Sequence, residues 1–201
     1  MNRIAVAAVV VGMGIALAGC GGSRKQIGSQ RIVEKSPSAM PEWVQQTAYE
    51  KKDMLYYVGG VKNVVDYSLG LREAKAEGLN NLVESVKLRA RTQLTQMTRG
   101  SNQTKEDLGK FIEDGVALTS TNLDVSGVLP REQYTEKIEE TTGTGVKYLY
   151  NCYTLLGIST KDYAEARRKA IEGLGEQAKK ENNLKAETDA KDLLKKLEAG
   201  E

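Results

Sequence analysis

The sequence predicts an α+β fold: a small antiparallel sheet of about three strands packed against a long helix, with additional helices including a C-terminal helical tail. Three observations carry this. Residues 54–61 read Met-Leu-Tyr-Tyr-Val-Gly-Gly-Val, rich in the aromatic and branched side chains that fit a pleated surface. Leu71, Ala74, Leu79, Leu82, Val83, Val86 and Ala90 then recur at helical spacing, with charged residues between them. Residues 123–140 and 146–156 are two further strand-like runs, joined by the hairpin turn Thr142-Gly143-Thr144-Gly145.

The first residues are unlike the rest. Arg3 is followed by an uninterrupted apolar run over residues 4–17. This is a positively charged start and an apolar core of signal-peptide length, short of the roughly 20 apolar residues of a spanning helix. The competing reading, an uncleaved membrane anchor, is disfavoured by that length. The run ends in Leu17-Ala18-Gly19-Cys20. The tetrapeptide resembles the bacterial lipobox, whose small residues fit the lipoprotein signal peptidase and whose cysteine thiol takes a diacylglyceryl group. The resemblance implies cleavage between Gly19 and Cys20, a signal peptide at residues 1–19, and lipidation at Cys20. One acyl chain holds a membrane only marginally, at about 0.8 kcal/mol per buried methylene, whereas two or three hold it durably.

Residues 20–40 are dominated by Gly, Ser and charge and read as a lipidated cysteine with a flexible tether. Pro41 and Trp43 open a single α+β domain expected over residues 41–181, with Trp43 as a core or edge plug. Gly59-Gly60 in the first strand marks a bulge or a close backbone approach; it lacks the spacing of a phosphate-binding loop. Asp66 and Ser68 are candidate caps for the long helix, expected to run about 25 residues or more, and Gly78 in its interior offers close approach to a sheet. Thr104-Lys105-Glu106-Asp107 matches a capping box opening a second helix over residues 105–118, with Leu108, Phe111, Ile112, Val116 and Ala117 as its stripe. The strand at 123–140 is expected to break near Leu129-Pro130, since proline donates nothing to a ladder, and Tyr134 and Ile138 share a face. Neither face of residues 146–156 is strongly polar, which predicts a central strand with Cys152 as a small buried hydrophobe rather than a reactive thiol. From residue 160 the chain is helical, with Ala164, Ala170, Ile171, Leu174 and Ala178 able to pack. Residues 182–201 are expected as a charged, solvated helical tail whose short stripe is Leu193, Leu194 and Leu197.

Composition excludes several chemistries. The 29 basic and 27 acidic side chains leave a net charge of +2, which becomes +1 without Arg3, so no electrostatic case exists for nucleic acid. With 0 histidines, no His-based triad, base or metal site can be built. Acylation of Cys20 leaves Cys152 without a disulfide partner, and no metal or cofactor set is legible. The carboxylate pairs Glu139-Glu140 and Glu106-Asp107 are the candidates for acid–base work, and both have the spacing of surface charge.

Several residues in sequence order resemble the LPP-twenty family of bacterial lipoproteins and, more distantly, the N-terminal domain of flagellar assembly protein T. They are Pro41-Glu42-Trp43-Val44, Tyr57-Val58-Gly59-Gly60-Val61, the helix residues Ala74, Leu79, Leu82 and Val83, and the later pair from Ser126-Gly127-Val128 to Tyr134 and from Tyr148-Leu149 onward. The resemblance spans roughly residues 41–172; the chain departs from it beyond Glu172 and in the modest Arg and Ala content of its long helix. It implies an antiparallel sheet covered by a long helix on an outer-membrane anchor, and no catalytic residues.

The expectation is a non-enzymatic, lipid-anchored cell-envelope protein docking a partner or organising an assembly at the outer membrane, facing the periplasm. Gly21-Gly22 after the lipid site contain no aspartate of the inner-membrane retention type. The membrane is engaged through Cys20; the protein partner is not legible. The alternative is a lipid- or peptidoglycan-binding module in which Tyr56, Tyr57, Tyr148, Tyr150 and Tyr153 share an open face. A carboxylate-dependent envelope enzyme ranks third.

Overall fold

The computed structural model describes residues 26–98 and 127–199. The signal and lipobox residues with Cys20, the helix expected at 105–118 and the start of the strand expected at 123–140 lie outside the described residues. In chain order the elements are β1 (Gln30–Ser36), a 3-10 turn (Glu42–Gln45), β2 (Ala48–Lys51), β3 (Met54–Val64), α1 (Tyr67–Thr98), β4 (Leu129–Thr142), β5 (Gly145–Ser159), α2 (Thr160–Lys180) and α3 (Leu184–Glu198). The five strands form one antiparallel sheet in the order β1-β4-β5-β3-β2.

The fold class is α+β as expected, but the sheet has five strands rather than about three. Both additional strands are edges. β1 lies within the segment expected as tether and is exposed along its whole length; with no face to bury it carries no alternation to read. β2 has only four residues and reaches β3 through a tight turn in which Lys52 takes a left-handed φ of 56°. The central position expected for residues 146–156 is realised, because β5 pairs with β4 on one side and β3 on the other. Thr142 pairs directly with Gly145, so Gly143 and Thr144 form the hairpin turn. β4 runs through Pro130, and the disturbance expected there is a register shift between Pro130 and Glu132.

α1 begins at an aspartate cap: the amide of Leu69 donates to Asp66 Oδ1 at 2.7 Å. Ser68 lies inside the first turn. The buried positions along α1 are Gly70, Ala74, Gly78, Leu82, Val86, Ala90 and Leu94. Leu71, Leu79 and Val83, expected in the stripe, flank it half-buried. The helix meets the sheet through two glycines. A methyl group on Gly59 would lie 2.0 Å from the Ala74 carbonyl oxygen and 2.2 Å from the Gly78 nitrogen; one on Gly78 would meet Leu156 at 2.9 Å. Strand and helix backbones therefore touch, the close approach anticipated for both glycines.

Three clusters make the core. On the helix side of the sheet, Tyr57 and Ile158 pack with Leu82, Val86, Ala166 and Ala170. On the opposite face, Trp43, Val58, Tyr134 and Leu155 pack together, with the Trp43 indole N–H donating to Glu132 Oε2 at 2.8 Å. Beyond the sheet, Ala90 and Leu94 join Ile171, Leu174, Ala190 and Leu193 in a three-helix cluster. α3 is thus packed, with Ala186, Ala190 and Leu193 buried, where the sequence suggested a solvated tail. Asn183 caps it by accepting from the Ala186 amide at 3.1 Å. On α2 the buried residue near its start is Ala166, not Ala164. Ser159 caps that helix: it accepts from the Asp162 amide at 3.0 Å and donates to the Asp162 carboxylate at 2.7 Å.

Candidate functional site

Because α1 packs on β3 and β5, the helix-side surface of β1 and β4 lies to one side of it. Antiparallel register places three rungs across β1, β4 and β5 there: Arg31–Glu139–Tyr148, Glu34–Lys137–Tyr150 and Ser36–Thr135–Cys152. The start of α1 adds Tyr67, whose ring meets Tyr150 edge-on at 5.5 Å. Glu34, Ser36, Tyr67, Thr135, Lys137 and Tyr150 line an open groove of about 230 Å³.

The ion pairs order the strands around this groove. Arg31 donates to both carboxylate oxygens of Glu139, at 2.9 and 3.1 Å, in a bidentate pair that raises its pKa above the ordinary arginine value. The Lys137 ammonium stands 4.6 Å from the centroid of the Tyr148 ring, a cation–π contact. On the opposite face, Gln30 donates to Glu140 at 2.8 Å and Lys147 pairs with it at 3.0 Å; together they hold that carboxyl below the usual range. Glu139 and Glu140 therefore point to opposite faces and each has its own partner, so they do not form an acid–base pair. Glu106 and Asp107 lie outside the described residues.

The five tyrosines named from sequence do not share one face. Tyr57 packs under α1, and Tyr148 and Tyr150 follow on the same side of the sheet. Tyr56 and Tyr153 lie on the other, where Tyr56 stacks on Tyr49 at 4.8 Å and Tyr153 meets Tyr134 at 5.9 Å. Only Tyr150 of the five lines the groove, with Tyr148, 44 % exposed, in the adjoining rung. Tyr67, Lys137, Thr135, Glu34 and Ser36 were not singled out from sequence. Their spacing within each strand is two, but which strands adjoin is a long-range fact no local window contains.

Two other polar groups have structural roles. Glu136 is buried and accepts from the Tyr134 hydroxyl and from Asn151 Nδ2, each at 2.9 Å. Asn151 Oδ1 accepts from the Asn63 amide at 3.1 Å, where β3 shifts register and Asn63 takes a φ of 60°. This chain of bonds pins the bulge at the end of β3. Cys152 is fully buried, and burial pushes its thiol up to about 11, so it behaves as the small hydrophobe expected.

Among the described residues no group of three or more His, Cys, Asp or Glu is placed to hold a metal ion, and no helix is long and apolar enough to cross a membrane. Comparison with protein-family models, with curated proteins and with solved structures finds no match.

Proposed function

We propose that this chain is a non-enzymatic, lipid-anchored cell-envelope protein that docks a partner or organises an assembly at the outer membrane. The observation that carries the reading is the apolar run over residues 4–17 ending in Leu17-Ala18-Gly19-Cys20. The edge strand β1 gives the anchor a short reach. From Cys20 to Gln30 the chain spans at most about 35 Å when fully extended, half the span of a tether ending at Met40. The domain is then held close to the lipid surface with the β1–β4 side of its sheet nearest the attachment point. The paired states of Glu139 and Glu140 favour this reading over a carboxylate enzyme. The resemblance to the LPP-twenty lipoproteins agrees with it.

The test is incorporation of a clickable fatty acid in cells expressing the wild type or Cys20→Ser. Label on the wild type alone, with the mutant lost from the membrane fraction, is the expected result. Label on both would remove the anchor at Cys20 and with it the envelope role.

A second reading, a periplasmic lipid- or peptidoglycan-binding module, is favoured by the groove beside Tyr67 and Tyr150. Ring faces and alternating polar groups suit a sugar. Cosedimentation with purified peptidoglycan, lost in Tyr67→Ala with the melting temperature unchanged, would move the function to this groove.

A further inference from the structure

A different part of the molecule holds positive charge without a counter-ion among the described residues. Where α1 crosses α2, three hydroxyls form a chain that also reaches the sheet. Tyr57 donates to Ser85 Oγ at 2.9 Å, and Ser85 Oγ lies 2.9 Å from the Tyr163 hydroxyl. Three hydroxyl hydrogens serve two bonds, so one remains to donate outside the chain, from Ser85 or from Tyr163.

One turn further along each helix stands an arginine: Arg89 four residues after Ser85, and Arg167 four residues after Tyr163. That spacing puts each guanidinium on the same helix face as the hydroxyl before it. Arg167 Nε is buried and has no hydrogen-bond partner among the described residues. Its pKa is lowered, first by burial and then by the charge of Arg89, which also bears on Tyr57. The neighbouring acids are engaged elsewhere: Glu165 and Glu172 hold Arg168, and Glu84 pairs with Lys87 at 2.7 Å. Like charges on adjoining faces of two helices, with a buried donor left unpaired, are unfavourable on both counts. Gln93 Oε1, one turn beyond Arg89, is also unpartnered. A carboxamide oxygen can accept hydrogen bonds, but it is neutral and leaves the two cations uncompensated.

We infer that Arg89, Arg167 and the free hydroxyl of the Ser85–Tyr163 pair form a binding site for a phosphate-type oxyanion. A tetrahedral dianion offers acceptors in several directions, matching donors that come from two helices, and neutralises both guanidiniums. Arg89 is exposed, so the site opens to solvent at that end. The free anion and the phosphate of a lipid headgroup share this chemistry.

The experiment uses the full chain purified in detergent. Sodium phosphate is titrated against sodium chloride of equal ionic strength, followed by thermal unfolding and calorimetry. A parallel arm uses phosphatidylcholine vesicles with and without phosphatidic acid. Phosphate at a hundredfold excess over its dissociation constant should raise the melting temperature by roughly 5–10 °C. Arg89→Gln and Arg167→Lys should each weaken binding by about tenfold or more, the second because lysine keeps the charge but lacks the guanidinium fork. Arg89→Gln sits at the exposed end, so it keeps the test decisive if the Arg167 variant is poorly folded. A response to inorganic phosphate supports a free-anion site; a response to phosphatidic acid vesicles alone supports a headgroup site. No response in either arm, or one that survives in Arg89→Gln, overturns the proposal.

Discussion

Towards the start of α1 the buried positions are Gly70, Ala74 and Gly78, and from its middle onward they are Leu82, Val86, Ala90 and Leu94. The first set is small for want of room: Gly59 admits no side chain beneath Ala74 and Gly78, where helix and strand backbones meet, and Gly70 sits against the side chains of Val64 and Cys152. The second set is mostly larger because it fills the space between side chains of the sheet, α2 and α3. The positions recur every fourth residue, and at about 100° per residue each step overshoots a full turn by about 40°. The buried line therefore winds around the helix, facing β3 and β5 early and the two C-terminal helices late. One helix thus uses close backbone contact at one end and interlocked side chains at the other.

Substitutions at the two ends should separate these modes. Gly59→Val has the largest expected effect, more than about 3 kcal/mol, because its branches would occupy the space of α1 backbone, which cannot move aside as a rotamer can. Urea unfolding measures it; a loss below about 1 kcal/mol would show that helix and strand are not in tight contact. Leu94→Ala should cost about 2–3 kcal/mol by opening a cavity in the three-helix cluster. Ending the chain at Asn183 should act in the same direction, since it strips Ala190 and Leu193 from that cluster. If truncation left the melting temperature unchanged, α3 would not be part of the core.

Alkaline titration probes the junction between the two modes through Tyr57 and the far face of the sheet through Tyr134. Tyr57 and Tyr134 are raised from about 10 to about 12, each chiefly by burial. A tyrosine raised in the folded state favours the neutral form, so its contribution is complete below pH 10 and is lost as pH rises through 12. Stability followed by circular dichroism should fall across that window, and Tyr57→Phe should reduce the fall. An identical alkaline profile in Tyr57→Phe would contradict the burial of that hydroxyl. The smallest effect belongs to Lys87→Asp on the half-buried flank of the same helix, within about 1 kcal/mol through loss of its pair with Glu84, while Leu82→Asp should cost several. Equal melting temperatures for the two would mean that the buried line has been drawn on the wrong face.

Local pattern alone made much of this fold legible. The aromatic and branched content of residues 54–61 specified β3, and the mixed faces of residues 146–156 specified a central strand. The two-residue turn at Gly143-Thr144 joined β4 to β5, and the Asp66 cap and the apolar repeat placed α1. Each is a signal carried by neighbouring residues, and so is the Leu17-Ala18-Gly19-Cys20 motif on which the proposed anchor rests. Tertiary structure alone decided the edges, the tail and the sites. β1 is exposed along its length, so no burial pattern marks it, and it becomes a strand only because β4 offers an open ladder. α3 reads as a solvated helix until Ala90, Leu94, Ile171 and Leu174 provide a surface for Ala190 and Leu193. The groove at Tyr67 and Lys137 depends on which strands adjoin. The Arg89–Arg167 pair depends on two helices more than seventy positions apart meeting at one rung, although Ser85–Arg89 and Tyr163–Arg167 each repeat a four-residue spacing visible in the sequence. Sequence specifies what a segment can become from its own neighbours; long-range packing determines which surfaces are brought together, because burial is a property of the assembled chain.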